Sequence, residues 1–148
     1  MKVTIQAVAK KRHPELLKVW EASVRATHEF LSEADIAFLK PLILESYFDA
    51  VELRCAGDEQ DHLLGFVGVA EGKIEMLFIA PEHRSKGIGA LLTNHAIGQQ
   101  GATKVDVNEQ NPQAVGFYQH LGFRVVGRSA TDGQGKPFPL LHLELRRT

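Results

Sequence analysis

The residues of this sequence best suited to chemistry are Arg84-Ser85-Lys86-Gly87-Ile88-Gly89, a basic turn that carries two glycines. It follows a short apolar run, Ile74 to Ile79, that stops at Pro81 and reads as a buried strand. After it, Ile88, Leu91, Leu92, His95 and Ala96 recur at helical spacing. A strand, a glycine turn and a helix start can together hold an anion. The first N–H groups of a helix have no partner inside it, and glycine lets the backbone come close to a ligand. The helix dipole and the charges of Arg84 and Lys86 favour phosphate there. The plainer reading is a surface turn that only joins a strand to a helix. Neither Gly72-Lys73 nor Gly135-Lys136 is followed by Ser or Thr, so a P-loop is excluded. A dinucleotide fingerprint wants a small residue where Leu92 stands, but Asp106 lies near the spacing of a ribose-binding acid and keeps that reading open.

Three other groups invite chemistry. Glu75 is a charge within the apolar strand, and alternation places it on the face of Leu77 and Ile79, opposite Ile74, Met76 and Phe78. A carboxylate buried there is costly unless it has a partner or a task. The alternative is a strand-end glutamate that reaches solvent or pairs with a nearby Lys or Arg. His28-Glu29 begins a zinc-protease-like string, but Ser32 occupies the second histidine position, so no metal site is expected. Cys55 is the only cysteine, which leaves no internal disulfide and suits a buried small residue in a reducing cytoplasm.

The elements that must position these residues can be read in order. Val3, Ile5 and Ala7 alternate as a first strand. Pro14 suits a helix start, and Leu16, Leu17, Trp20, Val24, Thr27 and Leu31 form its stripe. Ser32 and Asp35 form a capping-box pair that opens a second helix along Ile36, Leu39, Ile43 and Tyr47, kinked or broken by Pro41. Val51–Ala56 and Leu63–Ala70 read as strands, and Glu71-Gly72 is a tight turn that makes the second of these an antiparallel hairpin with the central run. Gly101 ends the helix that began near Gly87, and Lys104–Val107 is a strand, so a right-handed crossover and parallel pairing follow. Asn111 can cap a helix whose first turn holds Pro112 and whose one face carries Ala114, Phe117, Tyr118 and Leu121 before Gly122 stops it. Strands at Phe123–Gly127 and Leu140–Leu145 close the chain, which is α+β with a mixed sheet of six or seven strands and about four helices.

A chain of 148 residues fits one domain spanning 1–148 with a real core. With 17 basic and 18 acidic residues and a net charge of −1, nothing supports bulk nucleic-acid binding. No apolar stretch approaches the roughly 20 residues needed to span a bilayer, and the N-terminus lacks a signal-peptide core. A cytoplasmic protein, free of nucleic acid and membrane, is the expectation.

Taken together, two stretches resemble the GCN5-related N-acetyltransferase (GNAT) superfamily. Arg84, Gly87 and Gly89 match its acyl-CoA loop, Arg/Gln-x-x-Gly-x-Gly/Ala. Asn111, Ala114, Tyr118, Gly122 and Phe123 match its downstream helix, Asn-x-x-Ala-x-x-x-Tyr-x-x-x-Gly-Phe. Element order agrees from about Val3 to Leu145. Thr27-His28-Glu29-Phe30-Leu31, Val107-Asn108-Glu109-Gln110-Asn111 and Gly135-Lys136-Pro137 are similar to the small bacterial YjaB-type acetyltransferases.

The resemblance implies acetyl-CoA as co-substrate, no metal, and direct attack by an amine of a small molecule or a protein lysine on the acetyl thioester. Backbone groups of Leu77, Phe78 and Ile79 would pair with the pantetheine arm as an added strand does, where this strand splays from Lys104–Val107. The N–H groups of Arg84, Ser85, Lys86, Gly87, Ile88, Gly89 and Ala90 would hold the pyrophosphate. Asn111 would bond the pantetheine, beyond its role as a cap, and Phe117 would pack beside it. Tyr118 would protonate the leaving thiolate, since a phenol with a pKa of about 10 is close to a thiol; otherwise it is a core aromatic. Glu75 is the candidate base, because some relatives place theirs on this strand. His28 and Phe30, with Trp20 and Tyr47, are the candidates for acceptor contacts on the N-terminal helices. The family's last strands often pair across a dimer, so Phe138, Leu140, Leu141 and Leu143 either join two subunits or complete one sheet. A CoA-binding module without turnover is the alternative of another class.

Overall fold

In a computed structural model, which describes residues 2–28, 30–133 and 135–146, one sheet of seven strands runs in the order β1-β2-β3-β4-β5-β7-β6. The strands are β1 (Thr4–Ala7), β2 (Glu52–Gly57), β3 (Leu63–Ala70), β4 (Lys73–Ile79), β5 (Lys104–Asn108), β6 (Phe123–Ser129) and β7 (Leu140–Leu145). The helices are α1 (His13–Thr27), α2 (Glu33–Leu42), α3 (Ile88–Gln99) and α4 (Pro112–His120). The expected mixed α+β fold is what forms.

Local chemistry explains most of these boundaries. Ser32 accepts from Asp35 N at 3.1 Å, and the Asp35 carboxylate accepts from Ser32 N at 2.9 Å, a reciprocal cap that opens α2. Pro41 lies inside the last turn of α2, and a π-helical turn over Ile43–Tyr47 follows at once. Proline lacks the N–H that the helix would use and its ring crowds the preceding turn, so the ladder changes register here. Glu71 and Gly72 have φ of 51° and 77°, the two left-handed residues that a two-residue turn between β3 and β4 requires.

Two apolar clusters flank the sheet. On one face α3 and α4 cover Val67, Val69, Ile74, Val105, Val107 and Leu143. On the other, Leu16, Trp20, Val24 and Ile36 of α1 and α2 cover Leu53, Cys55, Phe66 and Met76. Cys55 is a free, buried thiol.

Strict alternation fails in β4. Met76 pairs with Gly68 and Ile74 with Val69, which leaves Glu75 as the extra residue of a β-bulge. Ile74 therefore shares a face with Leu77 and Ile79, while Met76 and Phe78 face the opposite cluster. Glu75 belongs to neither core. It is exposed, with its carboxylate 3.8 Å from the Lys73 ammonium.

Beyond the bulge β4 leaves β5. The two strands are paired in parallel only at Lys73–Lys104 and Ile74–Val105. The expected splay is thus present, and the backbone of Leu77, Phe78 and Ile79 faces an open gap on that side. β7 lies between β5 and β6 and pairs with both, and Leu143 is 1% exposed in the subunit's own core. Leu140, Leu141 and Leu143 thus lie within this chain's own sheet, whose edge strands are β1 and β6.

Candidate active site

Where β4 parts from β5, a cavity of about 340 Å³ lies between β4, the basic turn, α4 and the end of α1. Its walls include Leu77, Phe78 and Ile79 of β4, Arg84, Ser85, Gly87, Ile88, Gly89 and Ala90 of the basic turn, and Asn111, Phe117 and Tyr118 of α4. Of the acyl-CoA-loop residues named from the sequence, Lys86 alone is not among the lining residues. It is exposed, and its ammonium donates to His83 Nδ1 at 3.3 Å.

The turn is shaped for an anion. Ser85 and Gly87 both take left-handed backbone, with φ of 64° and 81°. Gly87 is the cap of α3, and the first bond inside that helix runs from Leu91 N to Gly87 O at 3.0 Å. The N–H groups of Ile88, Gly89 and Ala90 thus have no helical acceptor, and their positive dipole end meets the cavity. Arg84 is tied across the mouth by a 2.9 Å bond from Nη2 to Gln113 Oε1 on α4. A Cβ on Gly89 would stand 3.2 Å from Phe117 Cζ, so the absence of one lets that ring close on the helix start.

On α4, Asn111 Oδ1 accepts from Ala114 N at 3.2 Å, the cap expected of it. Its amide nitrogen makes no hydrogen bond among the described residues and remains for a ligand. Tyr118 is 6% exposed, and its ring meets Phe117 and Phe123 edge-on at centroid distances of 5.1 and 5.6 Å. Burial raises its phenol well above the ordinary value near 10, so the group stays protonated across the working range.

A second cavity of about 160 Å³ adjoins the first, and His28 and Phe78 line both. Trp20, Phe30 and Phe138 give it aromatic walls, with Asp35, Asp132 and Lys136 at its polar side. The Lys136 ammonium lies 3.5 Å from Asp35 Oδ1 and 4.6 Å over the Phe38 ring. His28 and Phe30 are therefore placed together, with ring centroids 5.3 Å apart. Trp20 joins them, whereas Tyr47 lines neither cavity.

This geometry corrects the strand face read for Glu75 and the ribose-binding reading of Asp106. Glu75 lines neither cavity, because the bulge turns its side chain to solvent beside Lys73. Asp106 lines neither as well. Its carboxylate is spent on Lys73 and on His142 Nδ1, the latter at 2.6 Å, which removes the ribose-binding reading. Although burial pushes the Asp106 carboxyl up, those two partners hold it below its usual value. Ser23, His83 and Gln113 line the first cavity and carry no local motif that would single them out, and Thr27, which belongs to the stretch Thr27-His28-Glu29-Phe30-Leu31, lines it too.

Comparison with known proteins identifies the family. A family model described as acetyltransferase (GNAT) domain matches residues 26–139. The peptidyl-lysine N-acetyltransferase YjaB of Salmonella typhimurium strain LT2 is 42% identical over 139 residues, covering 92% of this chain and 95% of the relative. That of Escherichia coli strain K12 is 40% identical over 143 residues, 97% of each chain. The solution structure of apo YjaB from Escherichia coli superposes with a TM-score of 0.87 at 38% identity, over the full length of both chains. The PaiA N-acetyltransferase of Thermoplasma acidophilum, solved with coenzyme A, shares the fold with a TM-score of 0.75 at 21% identity, covering 99% of this chain and all of the other. With its motifs on one cavity, its sheet split at β4 and these relatives along nearly its whole length, the chain belongs to the GNAT family of acetyltransferases and is an N-acetyltransferase.

Proposed function

We propose that this enzyme acetylates lysine side chains of proteins, with acetyl-CoA as donor, in the cytoplasm. The observation that carries the reading is the meeting of two cavities at His28 and Phe78. One is the larger cavity, bordered by helix N–H groups without a helical acceptor, the other a smaller chamber with aromatic walls. The names of the relatives at 42% and 40% identity point to the same acceptor. The second cavity, with its aromatic faces, suits an alkyl stem ending in an ammonium, which rings attract, although its Asp35 carboxylate is already paired with Lys136. No helix among the described residues is long and apolar enough to cross a membrane.

The donor set fits acetyl-CoA. The exposed backbone of Leu77, Phe78 and Ile79 presents strand hydrogen-bonding groups to a pantetheine amide. The N–H groups from Ser85 to Ala90, with the Arg84 guanidinium, suit the pyrophosphate, while the Arg84 N–H is taken by Pro81 O at 3.3 Å. The free amide nitrogen of Asn111 suits a pantetheine carbonyl. Bound there, acetyl-CoA supplies an activated acetyl thioester. Tyr118 then acts as the acid that protonates the departing sulfur, since it lines the groove and keeps its proton. Phe117 and Gly89 hold one wall of the groove, and Phe78 separates donor from acceptor.

The test is release of free CoA thiol with a panel of acceptors. Lysine peptides and poly-lysine should support turnover above spermidine and other small amines. Faster turnover on small amines, with no activity on peptides, would reassign the acceptor.

A further inference from the structure

The acceptor reaches the site as an ammonium, since a lysine amine has a pKa of about 10.4, and some group must take its proton. Glu75 is turned away from both cavities, which leaves the base unassigned. His28 stands where they meet.

His28 is the C-cap of α1, and its N–H bonds to Val24 O at 2.8 Å. Its Nδ1 lies 2.7 Å from Thr27 Oγ1, and Thr27 Oγ1 donates to Ser23 O at 2.8 Å. A hydroxyl has one proton. Because Thr27 gives that proton to the Ser23 carbonyl, it can only accept from the ring. Nδ1 must therefore carry the hydrogen, and Nε2 keeps its lone pair. Nε2 makes no hydrogen bond among the described residues. The rings of Phe30 and Phe78 flank the imidazole, with centroids at 5.3 and 6.3 Å.

We propose that His28 Nε2 is the base that deprotonates the acceptor amine, and that Thr27 is the positioning residue that fixes its tautomer. The proposal rests on the acyl-transfer reading given above. One ammonium proton passes to Nε2 and on to solvent. The N–C bond then forms as the C–S bond breaks. The sulfur takes the Tyr118 proton, and the proton that nitrogen sheds in becoming an amide restores the phenol. One proton is released overall.

Charge placement is compatible with this role. Burial lowers the His28 pKa below its ordinary 6.5, so the imidazole is neutral and able to accept near pH 7. The titratable groups facing it are Asp35, Asp132 and Lys136 across the small cavity, and His83, Arg84 and Tyr118 across the large one.

The test uses the full chain in two arms. In the first, ¹⁵N NMR of the imidazole reads the tautomer without turnover. An Nδ1–H, bare-Nε2 ring supports the proposal, and an Nε2–H ring overturns it. In the second, thiol release with poly-lysine is followed against pH for wild type, His28→Asn, Thr27→Val and Thr27→Ser, with CoA affinity measured in parallel. Wild type should lose kcat/KM in acid, with a midpoint below the ordinary histidine value. His28→Asn should bind CoA normally, lose that limb, and turn over roughly 10²–10³-fold more slowly at pH 7. The deficit should shrink near pH 10, where the amine deprotonates unaided. Thr27→Val should shift the limb, and Thr27→Ser should restore it. An unchanged rate and limb in a CoA-binding His28→Asn protein would overturn the proposal. Absence of any wild-type thiol release would instead refute the acceptor reading, and the tautomer arm alone would then decide on His28.

Discussion

Replacing Gly87 by alanine tests whether the left-handed cap of α3 is what holds the cofactor loop. Gly87 has φ 81° and ψ 4°, and an added Cβ would meet nothing within 4 Å. Steric contact is therefore absent, and the whole penalty is backbone strain, about 1–2 kcal/mol for an L-residue in this region. That strain has two places to appear. If the loop keeps its shape in the free protein, denaturant unfolding loses about 1–2 kcal/mol and CoA affinity is unchanged. If the loop relaxes when free, stability is retained, and binding must restore the strained form, which raises the CoA Kd by roughly 5–30-fold. In either case the CoA-saturated protein loses the full amount relative to the unfolded chain. Gly87→Asn should recover part of it, because Asn tolerates left-handed backbone better. Denaturant unfolding with and without saturating CoA, together with calorimetric titration, measures each term. A Gly87→Ala protein whose stability and affinity both stay within about 0.5 kcal/mol of wild type would refute the argument.

Tyr118→Phe should leave CoA binding and fold intact and lower turnover by roughly 10²–10⁴, about 3–5 kcal/mol of barrier, as read by steady-state thiol release. Because burial holds the phenol protonated, the variant should keep the basic side of the wild-type pH profile at a lower level, and loss of a limb near pH 8 would contradict that burial. Glu75→Gln should stay within about 3-fold of wild-type turnover, far from the 10² expected of a lost base. Gly65→Ala places a Cβ 2.7 Å from Ile79 Cδ1 and 2.9 Å from the Phe78 carbonyl oxygen. Thermal and denaturant unfolding should register a loss of about 1–3 kcal/mol, since a backbone oxygen cannot give way. His13 and His28 both have pKa values below their ordinary 6.5, chiefly through burial. The unfolded chain then binds more protons on acidification, so their stabilising contribution is complete above about pH 6.5 and is lost as pH falls towards the folded values. Calorimetric Tm values should fall between pH 7.5 and 5, and His13→Phe should flatten that fall.

Much of the site could be read from the sequence because it is built of backbone. An anion cradle needs glycines at left-handed positions, a cap and a helix start, and each leaves a residue-type signal, as at Gly87, Asn111 and Pro112. The strand order around Ile74–Ile79 followed from apolar runs and turn residues for the same reason. Glu75 was misplaced because one extra residue in β4 reverses alternation, and no glycine or proline within that strand marks the bulge. Tertiary neighbours were equally silent. Gln113 reaches Arg84 from another helix, and Asp35 meets Lys136 across a long stretch of chain, so neither contact has a period to reveal it. Thr27 looked like one more position on the stripe of α1, and its bond to His28 appears only once the end of that helix is in place.

The parting of β4 from β5 after two paired positions has a mechanical meaning. Along that seam, strands β1–β4 and β5–β7 are stitched at one end only, by Thr103 N and Lys104 N to Gly72 O at 2.8 and 3.2 Å and by the Lys73–Asp106 ion pair. A ligand lying in the open end would act as a suture between the two halves of the sheet. At a concentration 100 times its Kd it would add about 2.7 kcal/mol to global stability. The amides flanking the seam, at Leu77–Ile79 and Val107–Asn108, would slow in hydrogen exchange beyond that global gain.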